Sequence, residues 1–559
     1  MNTPTVVPYI VPVTRSARAI GATWAGFLLV CAACGDDTTQ TPSCEGDACT
    51  STDGSATATS SDGGSATDDD GPDPATSSSG TASADRGSTA DTDSGDSGTT
   101  SAATDSTSSG GDEGSTSGDE DGSSSSGEPV GCGDGIVDVG EACDDGDAED
   151  GNGCDNDCTE SVVVGLSAGL RHTCATLDTG VVRCWGANFT GALGLGSVDS
   201  VGDNETPSRV AAAGIGVGVT SISGGDGFTC GLTTDDAVRC WGRNNRGQLG
   251  YGDMLDIGDD ELPSAVGDNS VAAGTIVAIT AGVQHACAAY DNGDVSCWGS
   301  SDFGELGYGN YDSIGDNELV SAAGHVDVPG DVVQLAAGER HTCARLGTGA
   351  VRCWGYGSSG ALGYGTPDWI GDTELPSSVG EVNVPSASTI VAGGDHTCVL
   401  TSGTGQVWCW GTIAGGGLGY QNPEPIGDNE TPVGAVVVAE DMLGETVSQI
   451  VAGTNHTCAL ISGTSVRCWG RGADGQLGYG NEDTVGDDES PYSAGDVDVG
   501  GPVVLLAAGG DHTCALMASG GVRCWGQGAD GRLGYGDTET IGDDETPSSA
   551  GDVPLFASP

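Results

Sequence analysis

Residues 172–186 read HTCATLDTGVVRCWG, in which two cysteines stand ten positions apart and a tryptophan follows the second. Close variants of this phrase occur seven times, and successive first cysteines are separated by 55 to 60 residues. A period of this length predicts a repeat architecture in which each unit is one supersecondary element. The seven cysteine pairs are Cys174 and Cys184, Cys230 and Cys240, Cys287 and Cys297, Cys343 and Cys353, Cys398 and Cys409, Cys458 and Cys468, and Cys514 and Cys524.

The spacing within the phrase predicts a β-hairpin that places its two cysteines directly opposite each other. The stretch DTG at 178–180 suits a three-residue hairpin turn, which favours glycine at its last, left-handed position. Cys174 then faces Cys184 with a Cα separation of about 4.5 or 5.5 Å, which a disulfide can span. In the fifth unit the cysteines are eleven apart, but the turn is also one residue longer, so Cys398 and Cys409 remain opposed.

We therefore predict seven disulfides, with two alternatives left open. A structural zinc site needs four ligands, and each phrase offers one histidine and two thiolates. Phe228 replaces the histidine in the second unit although Cys230 and Cys240 remain, which favours a disulfide over a histidine-ligated metal. Free buried thiols are the other alternative.

Two further side chains recur, and we assign structural roles to both. We expect the tryptophans to pack between neighbouring units and the histidines to hydrogen-bond a neighbouring backbone rather than to catalyse. The tryptophans are Trp185, Trp241, Trp298, Trp354, Trp410, Trp469 and Trp525, and the histidines are His172, His285, His341, His396, His456 and His512.

The apolar runs of each unit are short, alternate with period two and are separated by glycine, as is typical of strands. Four short strands in each of seven units predict an all-β fold, a seven-bladed β-propeller over residues 161–559. The final stretch AGDVPLFASP supplies a segment that the first unit lacks at its start. We expect Asp552–Leu555 to complete the blade begun by Val162–Leu166, which would remove an open sheet edge.

The pattern AGxxHTCAL, VRCWG and GQLGYG resembles the regulator-of-chromosome-condensation repeat family, over residues 161–559. The resemblance implies a seven-bladed propeller, but one propeller fold serves many partners. The best-known member exchanges nucleotide on a small nuclear GTPase and sits on chromatin. A secreted bacterial branch includes a protein that inhibits β-lactamases through one rim. The paired cysteines and the N-terminal segment favour the secreted branch.

Residues 1–33 have the form of a lipoprotein-type signal peptide. Arg15 and Arg18 precede the apolar run 19–33, which is short for a hydrocarbon core of about 30 Å. Cys34 follows two alanines in an arrangement that resembles a bacterial lipobox, although Cys31 replaces its usual leucine. The resemblance implies lipidation at Cys34, with a plain secretory signal or an uncleaved anchor as alternatives. Residues 34–130, rich in Ser, Thr, Gly and Asp, predict a disordered tether.

Residues 131–160 predict a small Cys-rich acidic module and resemble a short repeat common in bacterial surface proteins. Its cysteines are Cys132, Cys143, Cys154 and Cys158. Two disulfides are expected, because so short a stretch cannot rely on a core, and three pairings are open. Its carboxylates form either a calcium site or a solvated acidic spacer. No other cofactor is expected.

The chain has 82 acidic residues and 16 basic ones, all arginine, and a net charge of −66. This charge argues against nucleic acid and anionic membrane surfaces, and favours a cationic partner or ion. A recurring GDxE feature predicts an acidic rim, because equivalent loops of a propeller share one face. Its carboxylates either bind a cationic partner or calcium, or accept backbone hydrogen bonds within the turn. They are Asp203 and Glu205, Asp259 and Glu261, Asp316 and Glu318, Asp372 and Glu374, Asp428 and Glu430, Asp487 and Glu489, and Asp543 and Glu545.

We expect an exported, monomeric binding propeller, anchored by lipid at the cell surface or in the periplasm. It would recognise an extracellular protein or polysaccharide, and unlike loops such as YGDMLDIGDD and YQNPEPIGDN would give specificity. One alternative is a secreted lyase or hydrolase, which needs a repeat-breaking polar cluster in the central channel. The other is a guanine-nucleotide exchange factor, which requires a cytosolic, reduced protein.

Overall fold

A computed structural model describes residue 137 and residues 141–146, 150–413, 418–421, 424–434 and 445–556. The predicted signal peptide (1–33), Cys34, the predicted tether (34–130) and Cys132 lie outside the described residues. None of the helices among the described residues has the length and apolar character needed to cross a membrane.

The described residues form seven three-stranded antiparallel sheets, which we call blades 1 to 7 in chain order. Blades 1 to 4 contain β1 (Val163–Ala168), β2 (His172–Leu177) and β3 (Val182–Gly186); β4 (Val219–Gly224), β5 (Phe228–Thr233) and β6 (Val238–Gly242); β7 (Ile276–Ala281), β8 (His285–Tyr290) and β9 (Val295–Gly299); and β10 (Val332–Ala337), β11 (His341–Leu346) and β12 (Val351–Gly355). Blades 5 to 7 contain β13 (Ala387–Ala392), β14 (His396–Thr401) and β15 (Val407–Gly411); β16 (Val447–Ala452), β17 (His456–Ile461) and β18 (Ser465–Gly470); and β19 (Val503–Ala508), β20 (His512–Met517) and β21 (Val522–Gly526).

Helical segments in this part of the chain are all short. Four are α-helical: α1 (Pro263–Val266), α2 (Val320–Ala323), α3 (Pro491–Ala494) and α4 (Pro547–Ala550). The 3₁₀ turns are Pro207–Arg209, Pro376–Ser378, Pro432–Gly434 and Ala529–Gly531. The predicted all-β propeller is therefore confirmed.

The predicted cysteine hairpin is present in every blade. Cys174 pairs with Cys184 in register, and Cys398 pairs with Cys409 despite the longer turn. All seven pairs form disulfides, and their Cα atoms lie 4.0 to 4.1 Å apart, closer than the separation expected from sequence. All fourteen cysteines are buried.

The prediction of four strands per blade is wrong by one. In blade 2 the fourth strand is reduced to one bridge, in which Gly242 and Ile257 exchange hydrogen bonds of 2.6 and 3.1 Å. Gly242 has a φ of +107°, so the chain turns away from the sheet at this residue. The glycine-rich segment between Gly242 and Ile257 lacks the alternating apolar run that a strand requires.

Separate contacts cover the rest of the outer strand edge, whose backbone groups would otherwise be open to pairing with another chain. The Tyr251 hydroxyl accepts from the Cys240 N–H at 3.4 Å, and its one proton lies between the Cys240 carbonyl at 3.2 Å and the Gly267 carbonyl at 2.8 Å. Two residues earlier in β6, the Val238 carbonyl accepts from the Asn269 N–H at 2.9 Å. A tyrosine hydroxyl and one backbone group thus replace the missing strand.

The ring closes between blades 7 and 1, where β19 contacts β1 and the Gly510 N–H donates to the Gly169 carbonyl at 3.3 Å. The expectation that Asp552–Leu555 completes blade 1 is wrong, because these residues form no strand. The Val553 N–H instead donates to the Val522 carbonyl at 2.7 Å, and so covers the outer edge of blade 7. The tail also reaches blade 1, where the Pro554 carbonyl accepts from the Ser208 N–H at 3.0 Å.

Candidate functional site

The repeat histidines join neighbouring blades. His341 Nε2 in blade 4 lies 2.9 Å from Thr397 Oγ1 in blade 5, and both side chains are buried. Thr397 gives its only hydroxyl proton to the Ala361 carbonyl at 3.0 Å, which also accepts from Trp410 Nε1 at 2.8 Å. His341 Nε2 must therefore carry a proton and be the donor to threonine. Burial lowers the pKa of His341 to about 4, in agreement with this assignment.

The same bond occurs at six of the seven blade junctions, with distances of 2.8 to 3.0 Å. The pairs are His172 with Thr229, His285 with Thr342, His341 with Thr397, His396 with Thr457, His456 with Thr513 and His512 with Thr173. At the seventh junction Phe228 and Ala286 occupy the equivalent positions, so the donor and the acceptor are missing together. The histidines have the predicted structural role, but their partners are threonine side chains rather than backbone.

The tryptophans lie where the sequence predicts. All seven are fully buried, and Trp241 of blade 2 donates Nε1–H to the Ala192 carbonyl of blade 1 at 2.8 Å.

The GDxE loops also lie at blade junctions. Each loop follows a bridge to the last residue of an outer strand, so all seven share one end of the propeller. A Cβ on Gly258 of blade 2 would lie 2.5 Å from the Gly191 carbonyl oxygen of blade 1, which leaves room only for glycine. In blade 2 the Gly252 N–H donates to the Gly315 carbonyl of blade 3 at 3.0 Å. Packing between blades therefore requires the glycine of this motif.

The predicted rim carboxylates are all partly buried. Asp372, Asp487 and Asp543 each accept the backbone N–H of the following residue, at 2.8 to 3.0 Å. Partial burial and the adjacent carboxylates Asp488 and Asp544 raise the pKa values of Glu489 and Glu545 to about 7. The aspartates thus take part in the turn, whereas the glutamates are held close to like charges.

Three of these loops bring three carboxylates within 4.8 Å of one another, at 259–261, 487–489 and 543–545. Calcium takes six to eight oxygen ligands, so each cluster offers only part of a coordination shell. Calcium binding at the rim stays a prediction.

The inner strands line a narrow central channel of about 160 Å³ whose walls are mostly glycine and alanine. Among its described lining residues only Glu339 ionises, and it pairs with Arg340 at 3.0 Å. A second cavity of about 360 Å³ lies where blades 7 and 1 meet and contains Arg171 and Arg532. Arg532 is bound by Asp530 at 3.1 Å. Asp511 and Asp530 line the second cavity beside these arginines, and the enzyme alternative stays open.

The loops between GYG and GD differ most from unit to unit, and their character changes around the ring. Blades 1 to 3 expose apolar side chains there: Val198, Met254, Leu255 and Tyr311 are 49 to 71% exposed. The corresponding stretches of blades 6 and 7 read NEDT and DTET. In blade 5, residues 422–423 of the predicted specificity loop lie outside the described residues.

In blade 4 the equivalent loop carries Trp369, which joins an aromatic cluster. Trp369, Phe303 and Tyr356 pack with ring centroids 5.3 to 5.5 Å apart. The Arg340 guanidinium lies 5.3 Å from the centroids of both Phe303 and Tyr356. This cluster interrupts the repeat, and its rings are largely covered by one another and by Arg340.

Two kinds of structural residue, an edge-supporting tyrosine and a buried loop glutamate or glutamine, were not predicted from the sequence. The tyrosine of LGYG, which supports the outer edge, occurs in six of seven units, with Leu195 in the first. Glu305 is 3% exposed and accepts the Phe303 N–H at 2.7 Å, as Gln248 and Gln476 do for their own loops. Comparing repeats position by position would have revealed both.

The Cys-rich module packs against blade 1. Cys143 and Cys154 form a disulfide, and Cys158 is buried. Arg183 of β3 donates to the Gly151 carbonyl at 2.6 Å. Asp155, one of the carboxylates considered for calcium, instead accepts from the Gly151 N–H at 2.9 Å and from a serine hydroxyl.

Comparisons with known proteins agree with this architecture. The family model described as RCC1-like domain matches residues 130–484, and two models of the regulator of chromosome condensation (RCC1) repeat match residues 465–516 and 503–532. The ultraviolet-B receptor UVR8 of Arabidopsis thaliana is 31% identical over 320 residues, which cover 57% of this chain and 67% of that protein. The mitochondrial RCC1 domain-containing protein RUG3 of the same plant is 30% identical over 319 residues, covering 55% of this chain and 65% of that protein.

Among solved structures, human WBSCR16 gives a TM-score of 0.51 at 21% identity, covering 63% of this chain and 86% of that one. This similarity shows the fold alone. The chain spans about two thirds of the length of both plant relatives.

Proposed function

Since the chain belongs to the RCC1-like domain family, we propose that its propeller is a binding module, displayed outside the cytoplasm by a lipid on Cys34. Propellers of one fold serve many partners, so the partner must be sought in the features that break the repeat. We propose an extracellular protein or polysaccharide as the ligand.

The main support for a location outside the cytoplasm is the set of seven buried disulfides, one in each blade. Disulfides form and persist in oxidising compartments and are rare in a reducing cytosol. Each closes a short loop, worth about 2.5 to 3 kcal/mol in the chain-entropy estimate. A glycine-rich propeller that relies on seven such links fits export, and residues 1–34 have the form of an export signal.

Binding rather than catalysis is supported by where the repeat varies. The buried positions recur from blade to blade, whereas the loops between GYG and GD keep one length but change in charge and apolar content. Loops carried by a rigid scaffold are the usual place for recognition.

The exchange-factor alternative requires a cytosolic protein with reduced cysteines. The first experiment separates it from the proposal: the intact mass of the chain is measured from its native membrane fraction after alkylation without reduction. We expect a chain that starts at Cys34, carries acyl mass and takes up no alkyl groups on the repeat cysteines. A chain that keeps Met1 and is alkylated at the repeat cysteines would contradict export and favour the alternative.

The second experiment tests binding itself. The purified full chain is applied to arrays of proteins and of polysaccharides, with the fully reduced chain as a control for the folded state. Saturable capture without turnover is expected on one array, and chemical change of a captured ligand would support the enzyme alternative instead.

A further inference from the structure

The residue that directly follows the GDxE glutamate divides the blades into two groups. It is leucine in three consecutive blades, at Leu262, Leu319 and Leu375, which are 43, 48 and 37% exposed. In the other four blades the position carries a hydroxyl group. These residues are Thr206, Thr431, Ser490 and Thr546.

The leucines do not fill a space that the fold requires to be filled. Leu319 Cδ2 would lie 3.2 Å from a Cβ built on Gly252, and Thr206 Cγ2 lies at the same distance from a Cβ on Gly536. A threonine methyl group therefore covers the neighbouring glycine as well as leucine does. The Thr206 hydroxyl also bonds the Ser208 hydroxyl at 2.8 Å, a contact that leucine cannot make. The leucines nevertheless remain 37 to 48% exposed, and exposed apolar surface costs free energy.

Each leucine packs on a loop of the preceding blade that carries an exposed apolar residue. The glycines that these leucines cover are Gly196, Gly252 and Gly309, and each stands two residues before such a side chain. The neighbours are Val198, Met254 and Tyr311 respectively. The Tyr311 hydroxyl donates to Asp372 at 2.8 Å, so its ring extends onto the loop that carries Leu375. We call these six residues the leucine stripe.

The leucine stripe is surrounded by negative charge. Residues 253–262, 310–319 and 366–375 contain eleven carboxylates and no basic residue. The corresponding stretches of blades 6 and 7 are equally acidic but contain no leucine. Acidity is thus general to the rim, whereas an exposed leucine directly after the GDxE glutamate occurs only in three consecutive blades. Exposed apolar side chains that recur side by side mark an interaction surface more often than scattered ones do.

We propose that the leucine stripe is a docking surface for a basic protein segment that presents apolar side chains at intervals. The apolar side chains would pack on the three leucines, and Lys or Arg between them would face the flanking carboxylates, which gives charge complementarity. The inference rests on the proposed function, because it assigns the partner's chemistry to the same binding propeller. The aromatic cluster of Trp369 is outside the leucine stripe, since Arg340 already lies over two of its three rings, Phe303 and Tyr356.

The test uses the full chain and immobilised peptides of equal length in four sets: basic and apolar, basic and polar, acidic and apolar, and neutral and apolar. We expect binding to the first set, at least about tenfold tighter than to the others and weakened by salt. The variant Leu262→Thr, Leu319→Thr and Leu375→Thr copies the residue of blades 1, 5 and 7, and should lose about tenfold or more.

The matched control is Thr206→Leu, Ser490→Leu and Thr546→Leu, which places leucine at the same position of three blades outside the leucine stripe. It should bind the basic apolar peptides as the natural chain does. Circular dichroism and the thermal midpoint verify that both triple variants are folded. Equal binding by the Leu→Thr variant, equal binding of acidic apolar peptides, or a tenfold gain in the control would overturn the proposal.

Failure of this proposal can be told from failure of the proposed function. If the natural chain captures a protein or polysaccharide and the Leu→Thr variant captures it equally well, the binding propeller stands and the leucine stripe is wrong. If the natural chain captures nothing on either array or on the peptides, both proposals are wrong.

Discussion

His512 Nε2 in the last blade lies 2.8 Å from Thr173 Oγ1 in the first, so the ring is closed by the same bond that occurs at five of its six other junctions. Thr173 also donates to the Arg532 carbonyl at 3.2 Å, which completes the same triad of histidine, threonine and carbonyl. Closure therefore depends on a repeated side-chain contact rather than on a strand shared between the two ends. The blade-to-blade bond also provides the first prediction.

A double-mutant cycle on His341 and Thr397 should show strong coupling. Each single change, His341→Phe or Thr397→Ala, leaves a buried polar group without its partner and should cost about 1–3 kcal/mol of unfolding free energy. The double variant copies Phe228 and Ala286 and should cost less than the two single changes together, by about 0.5–3 kcal/mol. Chemical denaturation measures all four proteins, and strict additivity would contradict the contact.

The buried histidines should make the propeller sensitive to acid. The pKa of His341 is lowered to about 4, so below pH 6.5 the unfolded chain binds a proton that the folded chain refuses. Stability falls as the pH drops through this window, by about 2 kcal/mol per histidine between pH 6.5 and 5. The His341→Phe, Thr397→Ala variant should lose correspondingly less than the natural chain. Parallel pH profiles of the two proteins would refute this.

Glu305 should make the propeller less stable as the pH rises, whereas the histidines make it less stable as the pH falls. Burial raises its pKa from 4.5 to about 7, so as the pH rises from 4.5 to 7 the unfolded chain releases a proton that the folded chain retains. Stability falls over that interval, by up to about 3 kcal/mol once the pH exceeds 7. Glu305→Gln should therefore stabilise the protein at pH 8 and leave it nearly unchanged at pH 4.

Gln476 provides the reciprocal control, because it makes the same loop contact with the Asp474 N–H at 2.9 Å. Gln476→Glu should destabilise at pH 8 and not at pH 4, as followed by denaturant midpoints. Equal effects at both pH values would show that packing rather than ionisation is responsible.

The tyrosine that supports each outer edge should matter more than an exposed tyrosine. Tyr364→Phe removes a hydroxyl that bonds both the N–H and the carbonyl of Cys353 at 3.1 Å, and should cost about 1–3 kcal/mol. Tyr311→Phe is the matched control, because the exposed Tyr311 hydroxyl makes a single hydrogen bond, to Asp372, and should change stability by less than about 0.5 kcal/mol. Thermal and denaturant unfolding compare the two, and a similar loss in both would argue against the edge contact.

Hydrogen-bonded hairpins and their registers could be predicted from sequence, because the interval between two cysteines and the length of a turn are local quantities. The lengthened turn before Cys409 was sufficient to predict that Cys398 stays opposite it, and the register agrees. The site was less predictable. The GDxE carboxylates were correctly placed in equivalent loops, but Glu305 and the tyrosine hydroxyls act on groups that are brought near them only by folding.

The sequence by itself determined that this protein is a ring of seven disulfide-linked β units, because periodicity, turn residues and opposed cysteines are properties of neighbours in the chain. Only the tertiary structure decided how the units join. A histidine finds its threonine about 57 residues away, and a rim glycine meets the backbone of another blade, because both depend on the angle between packed sheets. The position of the leucine stripe is likewise a tertiary result, since its leucines and their apolar neighbours come from different blades and become adjacent only when the ring forms.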